Sequence, residues 1–269
     1  MTVAFDPIEV LADWVRGADL AAPPPLIGVA GAQGSGKTTL ARRAARALGA
    51  AHLSLDDVYR TRSERAQAAA EVHPLMGVRG PPGTHDLDLL FEVVDRLRAA
   101  GPDNVTSLPA FDKLKDDRLP EVDWPVFHGR PRAILIDGWC LGATAQTAGD
   151  LLTPINVLER DHDPDGGWRR AVNDALAGPY QAAFAQFDHT LFLAAPGFDV
   201  VAGWRLEQEA GLMGVSFQAV PPERRAAIDA FVQHFERITR HMLAGGVRMD
   251  VVVPLDPARV SLPPAWSRR

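Results

Sequence analysis

The chain has 269 residues, of which 46% are hydrophobic and 23% are charged, and its 34 acidic and 28 basic residues leave a formal net charge of −6. This composition excludes a disordered chain, because it supplies enough apolar surface for a buried core. A pI of about 5.7 lacks the basic excess expected of a nucleic-acid-binding protein. The single cysteine, Cys140, excludes an intrachain disulfide and is typical of a reducing compartment.

The N-terminal region and the apolar stretches predict a cytoplasmic protein without a membrane span. Residues 1–14 carry acids and no early basic cluster, which is not typical of a secretion signal. The longest apolar stretches are broken by charges or by the prolines at 23–25, and none reaches the roughly 18 residues that a spanning helix needs. We therefore expect neither a membrane nor a nucleic acid as a partner, and the oligomeric state stays open.

Taken in chain order, segments typical of strands alternate with segments typical of helices. Short apolar runs predict strands at residues 26–30, 52–55, 133–137, 189–194 and 249–253. Apolar periodicity and capping residues predict helices at residues 3–15, 37–48, 60–71, 87–100, 168–187, 198–210 and 221–244. The stretches 73–86 and 102–131 are rich in turn-forming and charged residues and predict mostly loops. The alternation indicates an α/β fold in which helices cover both faces of a parallel sheet.

A glycine-rich phosphate-binding motif, GxxxxGK[ST], lies between the first of these strands and the following helix. Glycines let backbone N–H groups turn toward phosphate oxygens, and the helix N-terminus adds its positive dipole end. We expect Lys37 to reach the outer phosphates of ATP and the Thr38 hydroxyl to coordinate Mg²⁺. The alternative, a chance glycine-rich turn, arises in roughly one chain in a hundred. The predicted nucleotide-binding residues are Gly31, Ala32, Gln33, Gly34, Ser35, Gly36, Lys37, Thr38 and Thr39.

Acidic residues follow or end two of the predicted strands. Asp56 and Asp57 follow the second strand, and ligands of α/β sheets collect at the carboxyl ends of the strands. Either acid could take the proton from an attacking hydroxyl, and either could instead cap the next helix. Asp137 ends the third strand, where a carboxylate can meet Mg²⁺, often through water.

Four further polar residues have structural alternatives. His85 and Asp86 follow a glycine- and proline-rich turn, where Asp86 could cap a helix and His85 could be solvated. Lys113 lies in a mixed charge run of the kind that usually faces solvent, but lysine occurs only at three positions of this chain, a scarcity that favours a specific role. Arg205 could pair with Glu209 one helical turn away, or it could close over phosphates from a mobile helix.

Six motifs in series resemble those of the P-loop type of D-glycerate 3-kinase and its bacterial relatives, in the uridine kinase, pantothenate kinase and phosphoribulokinase group. They are, in chain order, GAQGSGKTT, LSLDDVYRTR, RGPPGTHD, FDK with a following DDR, LIDGWCLG and GWRLEQE. The resemblance extends from about residue 26 to 254. The phosphate loop is a generic motif, and the motifs after it are more specific to this family. It implies one kinase domain over residues 1–269 with five parallel strands in the order 2-3-1-4-5. Within it, we expect an N-terminal helix and lead-in at 1–25, acceptor-binding segments at 73–131 and a lid at 196–220.

The resemblance also implies roles for individual residues. The related kinases have their catalytic acid as the first residue of an Asp-x-Phe-Tyr-like element, which favours Asp56 over Asp57 as the base. Val58 replaces the usual aromatic residue of that element. Asp137 stands where the relatives commonly have Glu, which keeps the charge and shortens the reach. Arg205 matches a lid arginine. Residues that match acceptor-binding elements are Asp57, Tyr59, Arg79, His85, Asp86, Lys113 and Arg118.

The expected reaction is in-line transfer of the γ-phosphoryl group of ATP to a hydroxyl of a small acceptor. Mg²⁺ would be held by Thr38, Asp137 and Asp56, and Lys37 and Arg205 would offset the charge that develops. D-glycerate is the best single acceptor by resemblance. A nucleoside, pantothenate or a sugar stays open, and so does an ATP-hydrolysing switch or assembly factor without a small acceptor.

Overall fold

The computed structural model describes residues 5–19 and 21–267. Helix α1, Pro7–Gly17, begins after Asp6, whose carboxylate accepts a hydrogen bond from the amide of Ile8. The predicted first turn of this helix, at residues 3–4, lies outside the described residues. In the part of the chain that the structure describes, none of the helices combines the length and the apolarity needed to cross a membrane.

A six-stranded sheet forms the centre of the described structure. Its strands, numbered in chain order, are β1 Leu26–Gly31, β2 Ala51–Ser54, β3 Ile134–Gly138, β4 His189–Ala194, β5 Val251–Pro254 and β6 Ala265–Trp266. They lie in the spatial order β6-β5-β4-β1-β3-β2. Strands β1 to β5 pair in parallel, so the predicted order 2-3-1-4-5 is confirmed. The short strand β6 pairs antiparallel with β5 and is an edge strand that the five-stranded prediction lacked.

Helices pack against both faces of this sheet. The helices after α1 are α2 Lys37–Leu48, α3 Arg62–Glu71, α4 Leu87–Ala99, α5 Val157–His162, α6 Gly167–Ala175, α7 Gln181–Phe184, α8 Asp199–Met213 and α9 Pro222–Leu243. A π-helical turn at Leu176–Tyr180 joins α6 to α7, so the helix predicted at 168–187 is one run interrupted at Pro179. The sequence patterns did not predict α5.

Apolar cores lie on both sides of the sheet. Ile27 and Val29 of β1 pack in a cluster with buried residues of α1 and α2, whereas Leu26 packs in the other cluster with buried residues of α4. Successive side chains of a strand point to opposite faces. A strand covered on both faces therefore needs apolar residues at every position, which explains the continuous apolar runs in the sequence.

The stretch predicted as loop at 102–131 contains two small antiparallel sheets. Val105–Ser107 pairs with Val126–His128, and Phe111–Asp112 pairs with Asp117–Arg118. We call the second of these, residues 111–118, the Lys113 hairpin. Its two strands are too short for a periodicity of two to be visible in the sequence, which is why the pattern indicated a loop.

Candidate active site

The phosphate-binding loop connects β1 to α2, as the motif predicted. Gly34 and Gly36 have left-handed backbones with φ of 75° and 88°, a conformation that residues with a Cβ atom rarely adopt. A Cβ on Gly34 would also lie 2.6 Å from Trp204 Cβ. No side chain caps the N-terminus of α2, so the helix-end amides stay available for an anion.

The loop forms one wall of an open cleft of about 430 Å³. Eleven of the residues predicted as functional line this cleft: Gln33, Gly34, Gly36, Lys37, Thr38, Thr39, Asp56, Tyr59, Arg79, Lys113 and Arg205. Seven lining residues were not predicted: Trp139, Trp204, Glu207, Gln208, Phe231, Phe235 and Arg259. The cleft thus joins the phosphate loop, Asp56 after β2, the Lys113 hairpin and helix α8.

Asp137 has no solvent exposure and contacts the cleft through Thr38, one of its lining residues. The parallel register sets it opposite Val29 of β1 and Ser54 of β2. Its Oδ2 accepts the Thr38 hydroxyl at 2.7 Å, and its Oδ1 lies 2.7 Å from Nε2 of His52. The shorter side chain of Asp, relative to the Glu of related kinases, therefore still reaches the phosphate loop.

The pair Thr38 and Asp137 fits a magnesium ion. A hydroxyl and a carboxylate are oxygen ligands of the kind that Mg²⁺ prefers. No group of three or more His, Cys, Asp or Glu side chains arranged for a metal occurs among the described residues. Thr38 and Asp137 would therefore hold Mg²⁺ together with nucleotide phosphates and water, as is usual for this ion. A direct role of Asp56 in metal binding stays a prediction.

Asp56 is partly buried, and chain donors approach both of its carboxylate oxygens. Oδ1 accepts the hydroxyl of Tyr59 at 2.7 Å, and Oδ2 accepts Nζ of Lys113 at 2.6 Å. Burial acts to raise the pKa of Asp56, but the charges of Lys113 and Lys37 outweigh it and hold that pKa well below its usual value. The carboxylate is therefore ionised at neutral pH and can accept a hydrogen bond from an acceptor hydroxyl.

Of the two adjacent acids, Asp57 is the one that caps a helix. Its Oδ2 accepts the amide of Ser54 at 3.2 Å and completes a capping box on the short 3₁₀ helix Leu55–Val58. Burial and the neighbouring charge of Asp56 raise the pKa of Asp57 to about 6. Asp57 does not line the cleft, in contrast to its predicted place in the acceptor site.

Tyr59, Arg79 and Lys113 are the predicted acceptor residues that reach the cleft. Arg79 forms an ion pair with Asp116 of the Lys113 hairpin, and its guanidinium carbon lies 5.6 Å from the centre of the Phe111 ring. The hairpin therefore connects two cations that line the cleft, Arg79 and Lys113.

His85, Asp86 and Arg118 were predicted to bind the acceptor, but they lie behind Tyr59 and do not line the cleft. The His85 ring stacks on Tyr59 at 4.7 Å, and its Nδ1 lies 2.5 Å from the hydroxyl of Tyr180. Asp86 caps α4 and pairs with Arg118, which also donates to the carbonyl oxygen of Tyr59. These contacts place the three residues around Tyr59 and outside the cleft lining, and their contact with an acceptor stays a prediction.

We expect His85 to make the protein sensitive to acid. Burial lowers its pKa to about 3. Since the unfolded chain binds a proton below about pH 6.5 and the folded chain does not, the free energy of unfolding falls by about 1.4 kcal/mol per pH unit as pH drops between these values. Urea unfolding of wild type and of His85→Gln at pH 7.5 and pH 5 measures this change in the free energy of unfolding. Between the two pH values, the variant should lose about 2 kcal/mol less unfolding free energy than wild type.

The comparison isolates His85, because Asp57, whose raised pKa acts in the opposite direction, is present in both proteins. Equal losses of unfolding free energy in wild type and variant would contradict the burial of an uncharged His85.

Helix α8, in the segment predicted as a lid, contacts the phosphate loop. Trp204 packs against Gly34, and Arg205 lines the cleft while it pairs with Glu209 at 3.0 Å. The i,i+4 ion pair of Arg205 is therefore confirmed, whereas its closure over phosphates stays a prediction. Glu209 also pairs with Arg224, which connects α8 to α9.

Arg259 is the functional candidate that sequence reasoning missed most clearly. Its Nε donates to the carbonyl oxygen of Gly34 at 2.7 Å, and its guanidinium lies 5.0 Å from the Trp204 ring centre and pairs with Glu207. It connects the segment after β5 to both the loop and the lid. Trp139 and Trp204 lie inside the recognised DGW and GWRLEQE elements, but no local pattern singles out Arg259.

The described residues adopt an α/β P-loop fold of the kinase type. A family model described as an AAA domain matches residues 26–101. The structure of D-glycerate 3-kinase from Cryptococcus neoformans var. grubii is similar with a TM-score of 0.72 and 20% identity, over 97% of this chain and 99% of that one. The YGR205w protein is similar with a TM-score of 0.65 and 21% identity, over 96% and 94%. No curated protein matches the chain significantly in sequence. At these identities the likeness shows a shared fold.

Proposed function

We propose that the protein is an ATP-dependent small-molecule kinase of the cytoplasm that phosphorylates a hydroxyl of a small anionic acceptor, with D-glycerate as the first candidate. The observation that carries this proposal is the cleft, which joins a phosphate-binding loop to an ionised Asp56 and to two acceptor-side cations, Arg79 and Lys113. The motif series and the fold shared with a D-glycerate 3-kinase support the choice of acceptor.

The nucleotide side of the cleft is built to hold ATP with Mg²⁺. The loop amides and the N-terminus of α2 face the phosphates, and Lys37 adds a positive charge beside Asp137 and Asp56. Thr38 and Asp137 would hold Mg²⁺, which neutralises charge on the β- and γ-phosphates when it is bound. Arg205 reaches the same space from the lid.

The acceptor side is built to direct a hydroxyl at the γ-phosphorus. The hydroxyl oxygen forms the new bond to phosphorus, the bond to the β–γ bridging oxygen breaks, and ADP leaves. The hydroxyl proton goes to the Asp56 carboxylate. A depressed pKa suits this role, because in a loose transition state the proton leaves late and the base mainly orients the hydroxyl.

An acceptor panel tests this proposal. The protein with ATP and Mg²⁺ is mixed with D-glycerate, L-glycerate, glycerol, uridine, pantothenate or fructose, and ADP formation is measured. We expect D-glycerate to stimulate ADP formation, whereas glycerol, which lacks the carboxylate that Arg79 and Lys113 would bind, should not. Stimulation by an uncharged acceptor alone would contradict an anionic acceptor. ATP hydrolysis that responds to none of these compounds would favour a switch or assembly factor.

A further inference from the structure

Lys113 covers the carboxylate oxygen of Asp56 that an acceptor hydroxyl would need. Oδ1 is bonded to Tyr59, which is buried, and Oδ2 is bonded to the ammonium of Lys113. The Lys113 side chain is 55% exposed, so this ammonium lies on the solvent side of Asp56. A hydroxyl that approaches Oδ2 from the cleft therefore competes with the ammonium for the solvent side of this oxygen.

The Lys113 hairpin carries this ammonium on a side chain beside an anchored turn. Arg65, which is buried, donates to the carbonyl oxygen of Asp116 at 2.9 Å and to its carboxylate at 2.6 Å. Asp116 has a left-handed backbone with φ of 56°, a conformation that a non-glycine residue keeps when its surroundings hold it there. Leu114, beside Lys113, is exposed. The ammonium can thus leave Asp56 while the turn stays fixed.

We propose that Lys113 guards Asp56, so that ATP is hydrolysed slowly until an anionic acceptor draws the ammonium away. This inference rests on the proposed function, in which Asp56 is the base. Without an acceptor, the ammonium occupies Oδ2 and water is not activated. An acceptor carboxylate between Arg79 and Lys113 offers the ammonium a new partner and uncovers Oδ2 for the hydroxyl of the same molecule. Lys113 is therefore a positioning residue that makes catalysis depend on an anionic acceptor.

The side reaction that the guard suppresses is ordinary hydrolysis. Water oxygen forms a bond to the γ-phosphorus, the bond to the β–γ bridging oxygen breaks, ADP and phosphate form, and the water proton passes to Asp56. No further reactant is required. A compact ammonium on a flexible stem suits a group that must move, whereas the planar fork of arginine favours fixed bidentate pairs. Lys115, two residues away, pairs with Asp112 and does not line the cleft.

The test compares acceptor-free ATP hydrolysis in Lys113→Met, Lys113→Arg and the matched control Lys115→Met. We expect Lys113→Met to raise the rate of hydrolysis about five- to tenfold. This is the effect of losing one hydrogen bond between charged groups, reduced because the pair is exposed to solvent. The same variant should raise KM for the acceptor. Lys113→Arg should restore slow hydrolysis, and Lys115→Met should match wild type. The double variant Asp56→Asn with Lys113→Met should hydrolyse ATP no faster than wild type.

Addition of acetate to the wild-type protein is a second test of the guard. Acetate is a carboxylate without a hydroxyl, so it should stimulate hydrolysis by wild type and leave Lys113→Met unchanged. Hydrolysis in Lys113→Met at or below the wild-type rate, or an absence of stimulation by acetate, would overturn the guard. If Lys113→Met hydrolyses ATP faster but wild type phosphorylates no anionic compound of the panel, the guard stands and the proposed acceptor class is wrong.

Discussion

Replacing Asp56 with Asn is expected to lower turnover with the acceptor by about 10²- to 10⁴-fold, the usual contribution of a positioned acid or base. The amide keeps the shape of the side chain but cannot take the hydroxyl proton. ATP should still bind, because the phosphate loop does not depend on Asp56. Steady-state ADP formation measures turnover, and calorimetric titration with ATP and Mg²⁺ measures binding.

Asp57→Asn is the matched control, since the two acids are adjacent and only Asp56 lines the cleft. An Asn at this position can still accept the amide hydrogen bond of Ser54, so turnover should stay within a few-fold of wild type. Unchanged turnover in Asp56→Asn together with a large loss in Asp57→Asn would reverse the assignment of the base.

Replacing Lys37 with Ala is expected to lower kcat/KM for ATP by about 10²- to 10³-fold, comparable to the loss of one preorganised donor to a developing charge. Lys37 is the lysine of the phosphate-binding motif, and it lies partly buried near Asp137 and Asp56. Its burial lowers its pKa, and the two neighbouring carboxylates act against this shift. In the proposed reaction, its ammonium would offset the negative charge that increases as the γ-phosphoryl group transfers.

Lys115→Ala serves as the control for Lys37→Ala, because it also removes a lysine charge but lies outside the cleft. Initial rates at several ATP concentrations separate a loss of binding from a loss of turnover. Normal kinetics in Lys37→Ala would refute the phosphate-binding role of the loop.

The strands and the phosphate loop were predictable because their signals are local. An apolar run, two glycines in left-handed conformations and a helix that starts at Lys37 all lie within about 20 residues. The helix at 37–48 was predicted at its observed bounds. The extra edge strand β6 has two residues, and helix α5 has six, so neither is long enough to show a periodicity.

The acceptor side was predicted less well, because turn-rich segments do not reveal which side chains face a cavity. His85, Asp86 and Arg118 carry the right chemistry, but packing turns them to the back of Tyr59. The scarcity of lysine was the better signal: it favoured Lys113, which lies 2.6 Å from Asp56.

The sequence by itself determined the conformation of the phosphate loop, since that conformation depends on neighbours in the chain and on two glycines with left-handed backbones. Only the tertiary structure decided which side chains surround this loop. It places Asp56 at the cleft and Asp57 at a helix cap. It also brings Lys113 to Asp56 and Arg259 to the phosphate loop. Gly34 and Arg259 are 225 residues apart along the chain. Their contact follows from the packing of β5, the lid and the loop, which no local pattern encodes.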